Sequence, residues 1–297
     1  MTALAGRCSQ RSEASNEPLP GTASTIRHWL LIEHPGPWGR DGLLDARLPE
    51  GMGKALRDLE GRIRSRVLLI RSLRRGARTR DVACFAVDTA AAWVGRAELP
   101  TIQAAVALDP RDRSSFHEER GPVVVVCTHG RRDPCCAERG RPLERATSAV
   151  FPDTTWECTH VGGDRFAGNL VVFPHGLYFG HVEPREGPGI VRAYLEGRIG
   201  SLGRYRGRAS HPFHVQVAEA AVRQELGLDR IDDVRLGRSA QRHHRATVMF
   251  ATSSGPRHIE LERSLGDPMR LTCHSEREET PAVWRPIGEA SDRTSAD

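Results

Sequence analysis

The sequence predicts an α/β protein in three parts: two successive units, each a sheet covered by helices, and a small α+β region after them. Three observations carry this. Runs such as residues 67–70 and 123–127 are continuously apolar, as strands buried on both faces must be. Met52, Leu56, Leu59 and Ile63 recur at helical spacing between such runs. Residues 118–200 read in the order β-α-β-β-β-α, which fits a thioredoxin-like layer with site residues at strand ends.

Residues 1–25 are rich in Ser, Glu and Pro without an apolar centre, so a flexible tail is expected rather than a signal peptide. The first unit occupies 26–116. It holds a strand at 26–34, a Pro/Gly loop around Trp38, the helix of Met52 to Ile63, and strands at 67–70 and 82–87. The second unit, 118–200, opens with a strand at 123–127 and a helix at 137–150 that sets Leu143, Ala146 and Val150 on one face. Strands at 155–159 and 170–173 follow, then a return strand at 177–182 and a helix at 187–198. The similar order of the two units suggests a duplication, although no repeat is legible in the residues themselves. Residues 209–275 begin with a helix after Pro212, its Val215, Ala218, Val222 and Leu226 facing inward. A meander of 247–251, 258–261 and 270–273 is expected next, and residues 276–297 turn polar and are expected to fray.

At 297 residues, 38% hydrophobic, the chain is long enough to bury a sizeable core. No run of 18 apolar residues occurs, so no membrane span is expected and the protein is placed in the cytoplasm. In that compartment its seven cysteines read as free thiols, ligands or redox groups. The 43 basic residues nearly cancel 38 acidic ones, leaving +5. A nucleic-acid groove would interleave basic and aromatic residues; only Arg204-Tyr-Arg-Gly-Arg208 does so, and it reads as a solvated linker. Nucleic acid is therefore not an expected partner.

Two segments are dense in groups that bind soft metals. The first is Cys127-Thr-His129-Gly-Arg-Arg-Asp133-Pro-Cys135-Cys136, in which a strand ends on Cys127 and Cys136 opens a helix, whose N-terminus favours a thiolate. His129 and Asp133 fit supporting roles beside ligands, Asp133 also a plain turn. Cys135 projects elsewhere as core or a further thiol. The second is Cys158-Thr-His160-Val-Gly162-Gly163-Asp164-Arg-Phe-Ala-Gly-Asn169. His160 follows a strand, and Gly162 and Gly163 allow close backbone approach to a cofactor. The stretch into Asn169 would supply a wall and N–H donors. Cys84 reads as core, Cys8 as part of the mobile tail, and Cys273 beside His274 as structural rather than metal-binding.

Together these segments, with Trp29-Leu-Leu-Ile-Glu-His-Pro-Gly-Pro-Trp38-Gly, resemble the sucrase/ferredoxin-like family in its actinobacterial form. The resemblance covers about residues 22–200. It implies a thioredoxin-like ferredoxin unit and a 2Fe–2S cluster held by two Cys of the first segment and two residues of the second, His-x-x-x-His in fungal members. Carried over, the ligands are Cys127, Cys136, His160 and the residue four positions on, which here is Asp164 and not His. Asp164, a neighbouring Cys158, Cys135 or His129 each remains a candidate for the fourth place, as does a branch without the cluster. Mixed Cys/His ligation raises a reduction potential relative to all-Cys ligation.

The function expected is electron transfer to an unidentified redox protein, with Arg131, Arg132, Arg139 and Arg165 around the site drawing an acidic partner. The alternatives are a thioredoxin-like thiol redox protein, which lacks the usual Cys-x-x-Cys, and a zinc-binding structural module. Hydrolysis of sucrose, which the family name invites, requires a carboxylate pair around the sugar, and no such pair stands out.

Overall fold

The computed structural model describes residues 6–72 and 81–289. After a short helix α1 (Cys8–Ala14), the first unit runs β1 (His28–Glu33), α2 (Met52–Ile63), β2 (Ser65–Arg71), β3 (Val82–Asp88), β4 (Trp93–Leu99) and β5 (His117–Glu118). The second runs β6 (Val123–Cys127), α3 (Pro134–Val150), β7 (Thr155–Cys158), β8 (Leu170–Phe173), β9 (Leu177–Phe179), α4 (Gly187–Leu195) and β10 (Tyr205–Arg208). Helix α5 (Phe213–Leu226) and strands β11 (Val234–Arg242), β12 (Arg245–Thr252), β13 (Gly255–Leu265) and β14 (Ala282–Glu289) complete the chain.

All ten strands of the two units form one sheet in the order β10-β9-β8-β6-β7-β2-β1-β3-β4-β5. Read inward from either edge, the halves have one topology. β1 pairs parallel with β2 and antiparallel with β3, as β6 does with β7 and β8. The hairpins β3–β4 and β8–β9 match, and β5 and β10 extend them antiparallel at the two edges. The halves meet where β2 and β7 run antiparallel, Ile70 opposite Cys158. A one-turn-plus segment, Ile102–Ala107, packs on α2 where α4 packs on α3. The two halves thus share one strand order in the backbone, that of a thioredoxin-like layer.

Strand alternation divides the core. Leu30, Ile32, Val67 and Leu69 face α2, which buries Met52, Leu56, Leu59 and Ile63 against them. Val124, Val126, Leu170 and Val172 face α3 and α4. The opposite face gathers residues of both halves into one cluster. There Trp29 of β1 lies 5.3 Å, ring to ring, from Phe173 of β8, four strands away. A flat sheet would separate them by roughly 19 Å at about 4.8 Å per strand. The sheet therefore curls until its two halves pack face to face, with the helices outside.

Several expectations are corrected. Residues 6–25 of the expected tail are not loose: α1 and Leu19 to Ala23 bury Cys8, Ser12 and Ala23. Helix α3 packs through Leu143 as expected, but Ala146 is only partly buried and Val150 is not part of the packed face. Its buried face runs Cys136, Gly140, Leu143 and Thr147, and Val150 is exposed. Residues 204–208 are no solvated linker; Arg204 ends a 3-10 turn and Tyr205–Arg208 form β10, with Tyr205 and Arg206 fully buried. The C-terminal meander has four strands, β11–β14 in order. Arg270 to Cys273 lies in a connection rather than a strand, and β14 forms within the expected polar tail. Only Arg285 and Glu289 are charged in that strand, and Trp284 packs on α5 with Val248, Phe250 and Leu261. The outermost residues of both expected tails, 1–5 and 290–297, lie outside the described residues.

A buried ion network joins this region to the sheet. Glu219 of α5 accepts hydrogen bonds from Arg208 Nε at 2.9 Å, Arg223 Nε at 3.0 Å, His211 Nδ1 at 3.2 Å and Tyr205 Oη at 3.3 Å. Burial alone would raise the Glu219 carboxyl; Arg208 and its other partners outweigh burial and hold it well below the carboxylate range.

Candidate metal centre

The site is built where β6 ends. Cys127 closes that strand, its amide bonded to the carbonyl of Asn169 at 3.0 Å. The chain turns through Thr128 to Asp133, whose side chain accepts the Cys135 amide at 2.9 Å and so caps α3, with Pro134 next. This short connection returns Cys136 to Cys127. Gly140 makes the return possible: a Cβ there would stand 2.0 Å from the Cys127 carbonyl oxygen, so no other residue lets α3 cross so close.

His160 arrives from the end of β7, and the ligand atoms of Cys127, Cys136 and His160 all lie within 4.8 Å of one another. Asp164 joins them: its Oδ1 accepts from Cys136 Sγ at 3.3 Å and stands 2.9 Å from His160 Nδ1. The second contact is close but misaligned, and among the described residues His160 Nδ1 has no properly directed hydrogen-bond partner. Both cysteines are buried, Asp164 is 2% exposed, and His160 at 22% is the centre's open edge.

The charges interlock. The adjacent Cys136 thiol and the His160 ring hold Cys127 well below the usual thiol range, although burial opposes this. Cys136, beside that thiolate and buried, is pushed well above it. Burial works against a charged His160, yet Asp164 and Cys127 prevail and push it up to about 9. In the metal-free centre these shifts favour a thiolate at Cys127, an imidazolium at His160 and a carboxylate at Asp164, and a bound cation would displace the His160 and Cys136 protons to reach its donors.

The remaining candidates occupy supporting positions. His129 donates from Nε2 to Gly39 O at 2.7 Å and accepts the His160 amide at Nδ1, 3.3 Å, an assignment fixed by those two partners. It thus positions His160. Gly162 and Gly163 both have positive φ, 97° and 76°, and turn the chain from His160 to Asp164. Asn169 Nδ2 donates to Gly163 O at 2.9 Å, and Asn169 Oδ1 accepts from Arg206 Nη1 at 2.6 Å. Cys158 is core beneath the centre, in register with Cys127. Cys135 points away from it, toward Cys8 and Cys273.

Arg206, passed over in the sequence, is the loop's main brace. It is fully buried, bonded to Gly162 O and Thr22, and lies over the Phe166 and Tyr178 rings at 4.8 and 5.4 Å. The alternation of a strand, placing Arg206 opposite Tyr205 and Gly207, was the available signal. The first half supplies the roof: Trp38 meets the His129 ring edge-on at 6.0 Å, next to Gly39. Of the arginines expected to form a docking surface, Arg139 and Arg165 are instead paired with Glu13 and Glu17 of the N-terminal segment. Arg131 and Arg132 are exposed, and Arg132 borders a cleft of about 670 Å³ lined also by Arg40, Asp41, Arg66, His129 and His160.

These features define a thioredoxin-like layer bearing a Cys/His centre at its strand ends, and the chain belongs to the sucrase/ferredoxin-like family, whose model matches residues 19–207. It is similar to Altered inheritance of mitochondria protein 32 of Meyerozyma guilliermondii, 34% identical over 95 residues, which are 29% of this chain and 34% of that protein. The match thus spans about a third of that relative's length. Among solved structures it is similar to the thioredoxin-like [2Fe-2S] ferredoxin from Aquifex aeolicus, at 24% identity over 32% of this chain and 97% of the other, with a TM-score of 0.26. A Cys-to-Ser variant of that ferredoxin gives 25% identity over 26% and 88%, with a TM-score of 0.23. Among the described residues no helix is long and apolar enough to cross a membrane.

Proposed function

We propose that the protein is a one-electron carrier with a [2Fe–2S] centre held by Cys127, Cys136 and His160, and by Asp164 as fourth donor. The observation that carries this reading is the convergence of two buried thiols, an imidazole and a carboxylate at one strand end. Such a centre needs four donors, and thiolates and imidazoles are its ligands. The buried, undirected Nδ1 of the partly exposed His160 is what a ring nitrogen reserved for metal leaves behind.

When bound, the centre supplies a one-electron couple. The chain sets its terms. Neutral imidazole adds less negative charge than thiolate, so His160 raises the potential, whereas anionic Asp164 lowers it. His129 and Arg206 hold the loop of His160 to Asp164 in place. Burial of the cysteines and Asp164 excludes water, leaving His160 as the edge toward the cleft. The cleft's Arg40, Arg57, Arg66 and Arg132 outweigh Asp41 and Glu60 there and suit an acidic redox protein, in a compartment that keeps thiols reduced.

Potentiometry with EPR on anaerobically purified protein tests this. The wild type should be brown and give an iron–sulfur signal on reduction, and His160→Cys should keep the signal at a lower potential. An unchanged potential in His160→Cys contradicts His160 as a ligand. The second reading is a single tetrahedral Zn²⁺, favoured by the compactness of the three ligand atoms; a colourless, zinc-loaded centre lost with Cys127→Ser supports it.

A further inference from the structure

Three cysteines outside this centre form a group of their own. Cys135 Sγ lies 3.3 Å from Cys273 Sγ and 3.6 Å from Cys8 Sγ, and Cys273 Sγ lies 3.5 Å from Cys8 Sγ. Asp133 completes the set, its carboxylate oxygens 3.8 and 3.7 Å from Cys8 Sγ. All four ligand atoms fall within 4.8 Å of one another, though Cys8 and Cys273 are 265 positions apart in the chain. Cys8, Cys135 and Asp133 are buried and Cys273 is partly so.

We propose that Cys8, Cys135, Cys273 and Asp133 form a second, structural metal site that takes Zn²⁺. Sulfurs bound tetrahedrally to zinc at about 2.3 Å stand roughly 3.8 Å apart, and a sulfur and a carboxylate oxygen stand roughly 3.5 Å apart. The sulfur triangle and the Cys8–Asp133 spacing are near those values. A disulfide needs about 2.05 Å and would leave one of three thiols over. Three soft thiolates and one carboxylate suit a borderline-soft d¹⁰ ion with no open position.

The surroundings are those of ligands held in place. Asp133 Oδ1 accepts the Cys135 amide at 2.9 Å and Oδ2 accepts the Cys273 amide at 2.7 Å, which leaves further lone pairs for a cation. The Cys8 amide points at Cys273 Sγ at 3.4 Å, as amides do toward metal-bound thiolates.

The site also has structural work. Helix α1 has only 7 residues, too short to stand alone. Its ties to the body include exposed ion pairs, Arg7 with Glu138 and Arg11 with Glu278, which contribute little. A metal would bind α1, the first turn of α3 and the connection before β14 at one point. That turn carries Cys135 to this site and Cys136 to the other, so each has its own ligands.

Metal analysis of the full-length protein after incubation with Zn²⁺ and removal of loose metal tests the proposal. Cys8→Ser and Cys273→Ser, both far in sequence from Cys136, should each lose at least tenfold of about one zinc per chain. Cys127→Ser should keep that zinc. Co²⁺ in place of zinc should give the intense visible bands of tetrahedral thiolate ligation in wild type and Cys127→Ser alone. Should the Cys8 and Cys273 variants fail to fold, Cys127→Ser suffices: a chelator should extract its remaining zinc and lower its melting temperature. Zinc that follows Cys127 rather than Cys8 and Cys273 overturns the proposal. So does wild-type protein that binds no zinc, or a disulfide among the three cysteines in the intact mass.

Discussion

The two halves of the sheet repeat one chain path and put it to different uses. In the second, β6 ends on Cys127 and α3 starts at Pro134, so the short turn brings two thiols together. In the first, β1 ends on Glu33 and α2 starts only at Met52. The long connection reaches across the β2–β7 junction, where Gly39 binds His129 and Gly42 packs on Thr159. Where the register puts Cys127 and Cys158 in the second half, the first has Glu33 and Ile70. One half carries the donors; the other roofs them. A repeated layer can thus divide site and cover between its halves, through the residues at its strand ends and the length of its connections.

The edges differ as sharply, and there the largest effects are expected. β5 is a two-residue strand with exposed side chains, whereas β10 is locked by the Glu219 network. Glu219→Ala should destabilise the fold by about 3–5 kcal/mol in urea unfolding, because it strands buried guanidinium groups. Glu118→Ala should stay within about 0.5 kcal/mol. Since the folded Glu219 carboxyl is depressed, its contribution is present above the unfolded pKa. It is lost as pH falls, so the gap between wild type and Glu219→Ala should narrow below about pH 4.3.

Next come the helices that cover each half. Leu56→Ala in α2 and Leu143→Ala in α3, both at buried positions, should each cost about 2–5 kcal/mol. If the halves share one core, both variants keep a single coincident unfolding transition; separate transitions would break the comparison at the β2–β7 junction. Asp164→Ala sharpens it inside the second half. As the fourth donor, its loss should lower bound iron several-fold, and an unchanged visible spectrum removes Asp164 from the ligand set. The smallest effect at a buried position belongs to Cys84 in β3. Cys84→Ala should cost about 1 kcal/mol and leave metal content unchanged, in contrast with any cysteine of the centre.

Much of this was legible from residue order. The continuous apolar runs marked β2, β3, β6 and β8, and the Met52 to Ile63 spacing marked the buried face of α2. The two segments that hold Cys127, Cys136 and His160 stood out by their density of soft donors, and the structure sets these three side chains close together with Asp164 beside them. What stayed hidden depends on distant partners. Arg206 reads as surface until three chain segments close around it, and Cys8 and Cys273 have no local signal of meeting. The α3 face shifted because Gly140, chosen by its crossing over Cys127, fixes the helix rotation. β14 escaped notice because only one of its faces is apolar enough to pack.

Iron and acid-labile sulfide, counted in anaerobically purified wild type beside Cys127→Ser, test the centre most directly. About two of each per wild-type chain, and almost none in the variant, is the expected result. Wild-type protein without sulfide, or a Cys127→Ser variant that keeps its iron and sulfide, would contradict it.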